Sequence, residues 1–289
     1  MYTERLIQLR KGPMIKIQEG IYNVGTLRNE GFREDMENDV VRVEQASFYI
    51  APHTVTNQEF KAFVDATGYI SDAEKYQSSY VFFKQIKDTV NQATVDRLEW
   101  WREVEGALWK HPFGPNSSIE NIMDHPVVHV SYNDCLAYCK WKGVRLPTEI
   151  EWEIAARGGL ENKKYVWGDE EPDPDRCNIW FGNFPQEHIR EIGPMANDAF
   201  EPNGYGLYHM AGNVWEWCLN PGRIPLQEVL DHKDLWLQED KLIREEWFAM
   251  RGGSFLCHDS YCNRYRVSAR NANSRTSSAS NVGFRVVKD

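Results

Sequence analysis

The most informative stretch of this sequence is RGGSFLCHDSYCNRYR, residues 251–266. A strand predicted over residues 248–255 leads into it, and two cysteines follow, Cys257 and Cys262. Thiolates are soft ligands that suit Cu(I), and two thiolates leave room for a third soft ligand. The side chains of His258, Arg264 and Arg266 are expected to favour the thiolate form, because nearby positive charge lowers the pKa of a thiol.

The spacing of the two cysteines leaves other interpretations open. The pair could form a structural disulfide, or it could be two small hydrophobic residues of the core. It could also be half of a zinc site, but zinc takes four ligands and no second Cys-x-x-Cys or His-x-x-x-His cluster is present. From the spacing alone these interpretations together outweigh a copper site, so the rest of the sequence has to decide.

Composition and charge limit the classes of function. The chain has 289 residues with 42% hydrophobic and 26% charged residues, enough to bury a sizeable core in one domain over 1–289. A net charge of -10 makes nucleic acid a poor ligand. No apolar run has the length of a membrane span, and residues 1–13 do not resemble a secretory signal. We therefore expect a cytoplasmic monomer.

The hydrophobic pattern predicts an α+β fold with little regular structure. Strands are predicted over residues 14–26, 40–50, 126–130, 248–255 and 282–287. Helices are predicted after the caps Thr56, Ser131 and Thr148, the first two ending before Gly68 and Gly143. Residues 70–125 are predicted to be mostly loop, with a candidate helix over 85–98, and residues 226–247 to be a helical insertion.

The chain resembles the formylglycine-generating enzymes, also called sulfatase-modifying factors, from about residue 20 to residue 289. Most of the matching blocks are typical of the whole fold family, whereas Cys257 and Cys262 are typical of the branch that generates formylglycine. The blocks are TNQEF (56–60), TGY (67–69), EKY (74–76), HPVVHVS (125–131), RLPTE (145–149), AARGG (155–159), NGYGLY (203–208), GNVWEW (212–217), RGGS (251–254) and SASNVGFR (278–285).

The resemblance implies a fold, a reaction and a cofactor. The fold would have a C-type-lectin-like core with long ordered loops. The reaction would be the copper- and O2-dependent oxidation of a cysteine, in a peptide or an unfolded sulfatase, to Cα-formylglycine. Cys257 and Cys262 would hold Cu(I), and the substrate cysteine would join them as a third thiolate.

The resemblance also implies the residues around the substrate cysteine. Ser254 would lie near the oxygen pocket, and the groove would be lined by Trp215, His258, Tyr261 and Asn281. Each has a purely structural alternative. Ser254 and Asn281 could stabilise turns, Trp215 could be a core residue, and His258 and Tyr261 could pack between loops.

Two departures from the family bear on substrate and cofactors. The family meets the arginine of a Cys-x-Pro-x-Arg segment with acidic residues, but Gln77 and Ser78 stand where Gly-Asp is usual. Asp72 or Glu74 could compensate, since an arginine needs a carboxylate. The alternatives are therefore the same copper chemistry on a different thiol or peptide, or a non-catalytic binding module on this scaffold.

The family's calcium sites are the second departure. The first would use Gly212, Val214 and Glu216 together with His209, which replaces an Asn or Asp and is a poor calcium ligand. A second site would begin at Asn178-Ile179, but the loop that supplies its aspartate is shortened.

Overall fold

The computed structural model describes residues 13–37, 39–86, 92–96, 98–238 and 245–289. It is a mixed α+β structure of short elements joined by long ordered loops, as the sequence predicts. In these residues, no helix combines the length and the apolarity needed to cross a membrane.

The two N-terminal predicted strands each divide into two. The strands are β1 (Ile15–Ile17), β2 (Gly20–Gly25), β3 (Val40–Gln45) and β4 (Phe48–Ile50). β2 and β3 form an antiparallel hairpin, while β1 and the C-terminal strand β12 (Val287–Lys288) flank β4 in a separate sheet. β3 alternates exposed and buried residues, which is the period-2 pattern that predicted it.

All three capped helices are confirmed: α1 (Asn57–Thr67), α3 (Tyr132–Lys142) and α4 (Glu149–Ala156). Each begins with a capping box in which the Ser or Thr hydroxyl accepts from the backbone N–H three residues later. Gly68 and Gly143 end the first two in the left-handed conformation that glycine adopts without strain.

The prediction of a mostly loop region over 70–125 is correct for residues 106–125 and wrong for the residues before them. The first part contains α2 (Asp72–Tyr76) and a three-stranded sheet in the order β5-β7-β6, built from β5 (Ser78–Phe82), β6 (Ala93–Val95) and β7 (Leu98–Glu105). The candidate helix over 85–98 is wrong as well, because β6 lies in it, although residues 87–91 and 97 lie outside the described residues. Aromatic residues obscured the strand periodicity here.

The predicted strand over 126–130 is also wrong. Pro126 forms one isolated bridge with Thr56, and His129 has a φ of 60°, which a strand residue does not adopt. The segment is nevertheless deeply buried, since Val127 and Val130 are core residues. Short apolar runs of this kind do not distinguish a strand from buried irregular chain.

A four-stranded sheet lies at the centre of the molecule in the order β10-β9-β8-β11. Its strands are β8 (Trp215–Pro221), β9 (Trp247–Arg251), β10 (Asn271–Ser274) and β11 (Val282–Phe284). The predicted strands over 248–255 and 282–287 are thus shorter than expected. β11 runs parallel to β8 with Val282 opposite Trp215, so the segment before β11 is held beside the start of β8.

Among its described residues, the predicted insertion over 226–247 is helical in its first half. It forms α5 (Leu226–Asp231) and α6 (Lys233–Trp236), and β9 already begins at Trp247. Residues 239–244 lie outside the described residues. Leu226, Val229 and Trp236 are buried in the main core, so this segment packs on the domain.

Buried ion pairs connect the C-terminal segments to α4, to β8 and to the N-terminal loop. Arg251 pairs with Glu153 of α4, and both are inaccessible to solvent. The other buried pairs are Arg270 with Glu149, Arg285 with Glu216 and Arg266 with Glu37. Removing one partner of such a pair costs about 3–5 kcal/mol, because the other charge is left buried without compensation.

Candidate active site

A cavity of about 470 Å³ opens between the central sheet and the β5-β7-β6 sheet. Cys257 and Cys262 lie in its wall beside residues from both sheets. The residues that line it are Tyr80, Val95, Leu98, Trp101, Trp215, Met250, Ser254, Leu256, Cys257, Tyr261, Cys262, Arg264, Asn271, Asn273, Ser274, Ser277, Ala279, Asn281 and Val282.

A tight loop brings the two cysteines together. The backbone N–H of Cys257 donates to the carbonyl of Ser254 at 2.9 Å, and that of Cys262 donates to the carbonyl of His258 at 2.8 Å. The structure joins the two cysteines as a disulfide with their Cα atoms 4.8 Å apart. Cys257 is 1% and Cys262 7% exposed, so both are buried side chains at the floor of the cavity.

Gly253 makes room for this arrangement. A Cβ at this position would lie 3.2 Å from Sγ of Cys257 and 2.8 Å from the carbonyl oxygen of Arg264. Its φ of +74° is also one that side chains rarely adopt. Gly253 is therefore required because any larger residue would collide with the sulfur of Cys257 and with the backbone of Arg264.

Ser254, Asn281 and Trp215 form one connected group beside the cysteines. Nδ2 of Asn281 donates to Oγ of Ser254 at 3.0 Å, and the backbone N–H of Leu256 donates to the same oxygen at 3.3 Å. The backbone N–H of Trp215 donates to the carbonyl of Asn281 at 2.8 Å. Since both acceptor positions of the Ser254 hydroxyl are taken, its proton is available to a molecule in the cavity.

Tyr261 lines the cavity, whereas His258 does not. The Tyr261 ring stacks on Phe184 with ring centroids 4.4 Å apart, and burial raises the pKa of its hydroxyl. The His258 ring also stacks on Phe184, with ring centroids 6.4 Å apart, and its Nδ1 lies 2.8 Å from Oγ of Ser260 and 2.9 Å from Asp259. His258 is therefore not among the residues that line this cavity, and its contact with a substrate stays a prediction.

Ser78 also lies outside the cavity lining. It begins β5, and its hydroxyl donates to Oε1 of Glu103 on β7 at 2.7 Å. Tyr80, two residues further on the same face of the strand, occupies the lining position instead.

The expectation that arginines promote the thiolate form is not supported by their pairing. Arg264 donates to Asp35 at 2.5 and 3.2 Å, and Arg266 donates to both oxygens of Glu37 at 2.8 Å. Both carboxylates come from the charged loop before β3. Each guanidinium is neutralised within its own pair, so these arginines fix the loop after Cys262 rather than set the charge near the sulfurs.

Sequence reasoning missed the opposite wall of the cavity. Trp101 of β7 and Tyr80 of β5 belong to the region predicted as loop, and Asn271 and Asn273 belong to the edge strand β10. The aromatic residues of this region were a visible signal. Their alignment on one face became apparent only once β5 and β7 were paired.

The donor set of the first calcium site does not fit calcium. Both oxygens of Glu216 accept from Arg285, at 2.9 and 3.0 Å, and Oε2 also accepts from Trp152. Burial lowers the pKa of His209 to about 4, so this residue offers a neutral ring to a cation that prefers oxygen. At the second site, the side-chain amide of Asn178 donates to Gly193 and Asn213. No group of three or more His, Cys, Asp or Glu side chains suited to a metal occurs in the part of the chain that the structure describes.

Comparison with known proteins places this cavity in a family context. Residues 4–289 match the family described as "Sulfatase-modifying factor enzyme 1-like domain". The formylglycine-generating enzyme of Thermomonospora curvata is 46% identical, over 98% of this chain and 95% of that protein. The formylglycine-generating enzyme of Mus musculus is 43% identical, over 96% of this chain and 75% of that protein.

Solved structures support the same fold. PvdO from Pseudomonas aeruginosa superposes with a TM-score of 0.69 over 97% of this chain and 95% of that chain, at 22% identity. At that identity the likeness concerns the fold alone.

Proposed function

Because the chain belongs to the formylglycine-generating enzyme (sulfatase-modifying factor) family, we propose that it oxidises a cysteine of a substrate polypeptide to Cα-formylglycine, as in sulfatase maturation. The observation that carries the proposal is the position of Cys257 and Cys262. They are the chain's only two cysteines among the cavity-lining residues, and they share its floor. A fold can host other activities, so the pair carries more weight than the scaffold.

The donor set at the cavity floor fits Cu(I). In the reduced state Cys257 and Cys262 would offer two soft thiolates from a loop that already holds their Cα atoms 4.8 Å apart. When bound, copper would supply the one-electron chemistry that a reaction with O2 requires. The disulfide is the oxidised form of the same pair, so activity requires its reduction.

The remaining lining residues would position the substrate and exclude water. Trp215 and Leu256 are buried apolar residues beside the cysteines, which lowers the dielectric constant around an incoming thiol. Ser254, oriented by Asn281, presents a hydroxyl proton to the reacting atoms. Ser254 and Asn281 are each held by a backbone N–H, that of Leu256 and that of Trp215, so they need little reorganisation when substrate binds.

The overall chemistry balances with an external thiol as the second reductant. The substrate side chain loses one hydrogen from Cβ and one from sulfur, giving a thioaldehyde. Dioxygen accepts these two electrons and two more from the external thiol, and is released as water. Hydrolysis of the thioaldehyde then gives the aldehyde and hydrogen sulfide.

We propose Glu103 as the acidic residue that meets a basic side chain of the substrate. Asp72 and Glu74 are already engaged, with Lys75 at 2.8 Å and Lys110 at 3.0 Å. Glu103 is not itself a cavity-lining residue, but it follows Trp101 by two residues in β7 and pairs with Tyr80 of β5, so its side chain lies on the same face of the sheet as these two lining residues. The hydroxyl of Ser78 fixes its carboxylate at 2.7 Å.

The second candidate is the same oxidation on a different thiol or peptide. Ser78 favours it, because it places no charge where the family has an aspartate. A non-catalytic binding module is the third candidate, and would follow if the reduced pair bound no Cu(I).

We also propose a reducing compartment such as the cytoplasm, and action as a monomer. Apart from Cys257–Cys262, no disulfide forms among the described residues, and few structural disulfides are typical of proteins in a reducing compartment. The cavity wall is assembled from both sheets of one chain, so a second copy is not needed to complete it.

The test is aldehyde formation on a peptide. The protein would be reduced, loaded with Cu(I) and incubated in air with a thiol reductant and a Cys-x-Pro-x-Arg peptide, and the product mass measured. Wild type is expected to give the aldehyde, and Cys257→Ser and Cys262→Ser are expected to give none. Absence of product with several cysteine peptides at full copper occupancy would contradict the proposal.

A further inference from the structure

The outer edge of the central sheet faces the cavity. β10 pairs with β9 on one side and is an edge strand of the described sheet. Asn271, Asn273 and Ser274 of this strand line the cavity that contains the cysteines. Ala272 points the other way and is buried, so the two asparagines share the cavity face.

The carboxamides of both asparagines are held in one orientation by the backbone. Oδ1 of Asn271 accepts from the N–H of Ala272 at 2.9 Å, and Oδ1 of Asn273 accepts from the N–H of Ser274 at 2.8 Å. A backbone N–H can be accepted only by the oxygen of a carboxamide, which fixes the position of each NH2 group. In the part of the chain that the structure describes, neither Nδ2 donates a hydrogen bond to another residue.

We propose that Asn271 and Asn273 are positioning residues that bind the main-chain carbonyls of the substrate peptide. This inference rests on the proposed function and extends it to how the peptide is held. Two residues along a strand span about 6.7 Å, which is also the distance between alternate carbonyls of an extended peptide. Two fixed donors at this spacing match two carbonyl oxygens of one extended chain.

Recognition of this kind is independent of the substrate's side chains. Every residue of a peptide carries a main-chain carbonyl, so the two amides hold the chain in register beside the cysteine floor. The carboxylate of Glu103 would then favour peptides with a basic side chain, and Asn271 and Asn273 would hold the main chain of any peptide. Loss of either amide is expected to weaken peptide binding by about the same factor for peptides of different sequence.

The test separates the NH2 donors from the capping oxygens. Asn271→Asp and Asn273→Asp keep an oxygen for the N–H of Ala272 or Ser274 but remove the donor, whereas the Ala variants remove both. KM and kcat for aldehyde formation would be measured with two peptides that differ at the variable positions. Binding of the corresponding Cys→Ser peptides would be measured by fluorescence anisotropy.

Each Asp and Ala variant is expected to raise KM and the peptide Kd about fivefold, the effect of one neutral hydrogen bond, with kcat within twofold of wild type. If the Asp variants bind like wild type and only the Ala variants are impaired, the asparagines merely cap the sheet edge and the inference fails. Unchanged KM and Kd in all four variants overturns it as well. Wild type that forms no aldehyde would instead contradict the proposed function, whatever the variants do.

Discussion

Gly253→Ala tests whether the backbone beside Cys257 shapes the thiolate site. The added Cβ would lie 3.2 Å from Sγ of Cys257 and 2.8 Å from the carbonyl oxygen of Arg264. Contacts this short cannot be accommodated unless an atom moves. The carbonyl belongs to a backbone clamped by the pair between Arg264 and Asp35, so the sulfur is the atom expected to shift.

Gly143→Ala is the matched control. Gly143 has a φ of +71°, against +74° for Gly253, but a Cβ there would have no atom within 4 Å. In both variants an alanine has to adopt the left-handed backbone conformation, which lowers the stability of the fold by about 1–2 kcal/mol. At about 2–4 °C per kcal/mol for a large domain, both should lose a few degrees in Tm. The collision with Cys257 is present only in Gly253→Ala.

The measurement is Cu(I) affinity of the reduced proteins in competition with a chromophoric chelator, alongside Tm. We expect Gly253→Ala to bind Cu(I) at least about tenfold more weakly than wild type, a loss of about 1.4 kcal/mol, and Gly143→Ala to bind it normally. Equal affinities for the two variants, with both folded, would refute the argument that the glycine makes room for the sulfur.

Two further predictions concern selectivity and pH. Glu103→Gln should lower kcat/KM about tenfold for a peptide with arginine after the cysteine, because a charge-assisted pair is lost, and leave a peptide with citrulline there unchanged; equal effects on both peptides would exclude Glu103 as the basic-residue contact. Burial lowers the pKa of His129 and of His209 to about 4, below the ordinary 6.5, so the unfolded chain takes up protons first as pH falls. The stability from each neutral histidine is present above pH 6.5 and declines by about 2 kcal/mol between pH 7 and pH 5. Burial raises the pKa of Asp134 to about 6, which opposes this by about 1 kcal/mol over the same range. Urea unfolding at pH 7 and pH 5 should therefore show a net loss, smaller in His209→Asn, and a pH-independent free energy of unfolding would contradict it.

Local sequence signals determined the helices and the close approach of the two cysteines. Capping boxes at Thr56, Ser131 and Thr148 act over three residues, so they can be recognised without knowing the fold. The cysteine pair is similarly local, because the turn between Ser254 and Cys262 closes through backbone bonds within the segment. The resemblance to the formylglycine-generating enzymes pointed to both cysteines and to Ser254, and the structure places all three in the lining of one cavity.

Only the tertiary structure decided what surrounds the cysteines. Asp35 and Glu37 neutralise Arg264 and Arg266 from more than 200 residues away, and no spacing rule links the two segments. The pairing of β5 with β7 places Tyr80 and Trp101 in the cavity lining. The position of β10 at the edge of the central sheet places Asn271 and Asn273 there as well. Such contacts depend on which strands pair and which face is buried. A one-residue change of register would move every side chain to the other face, so the pattern of a single segment cannot specify them.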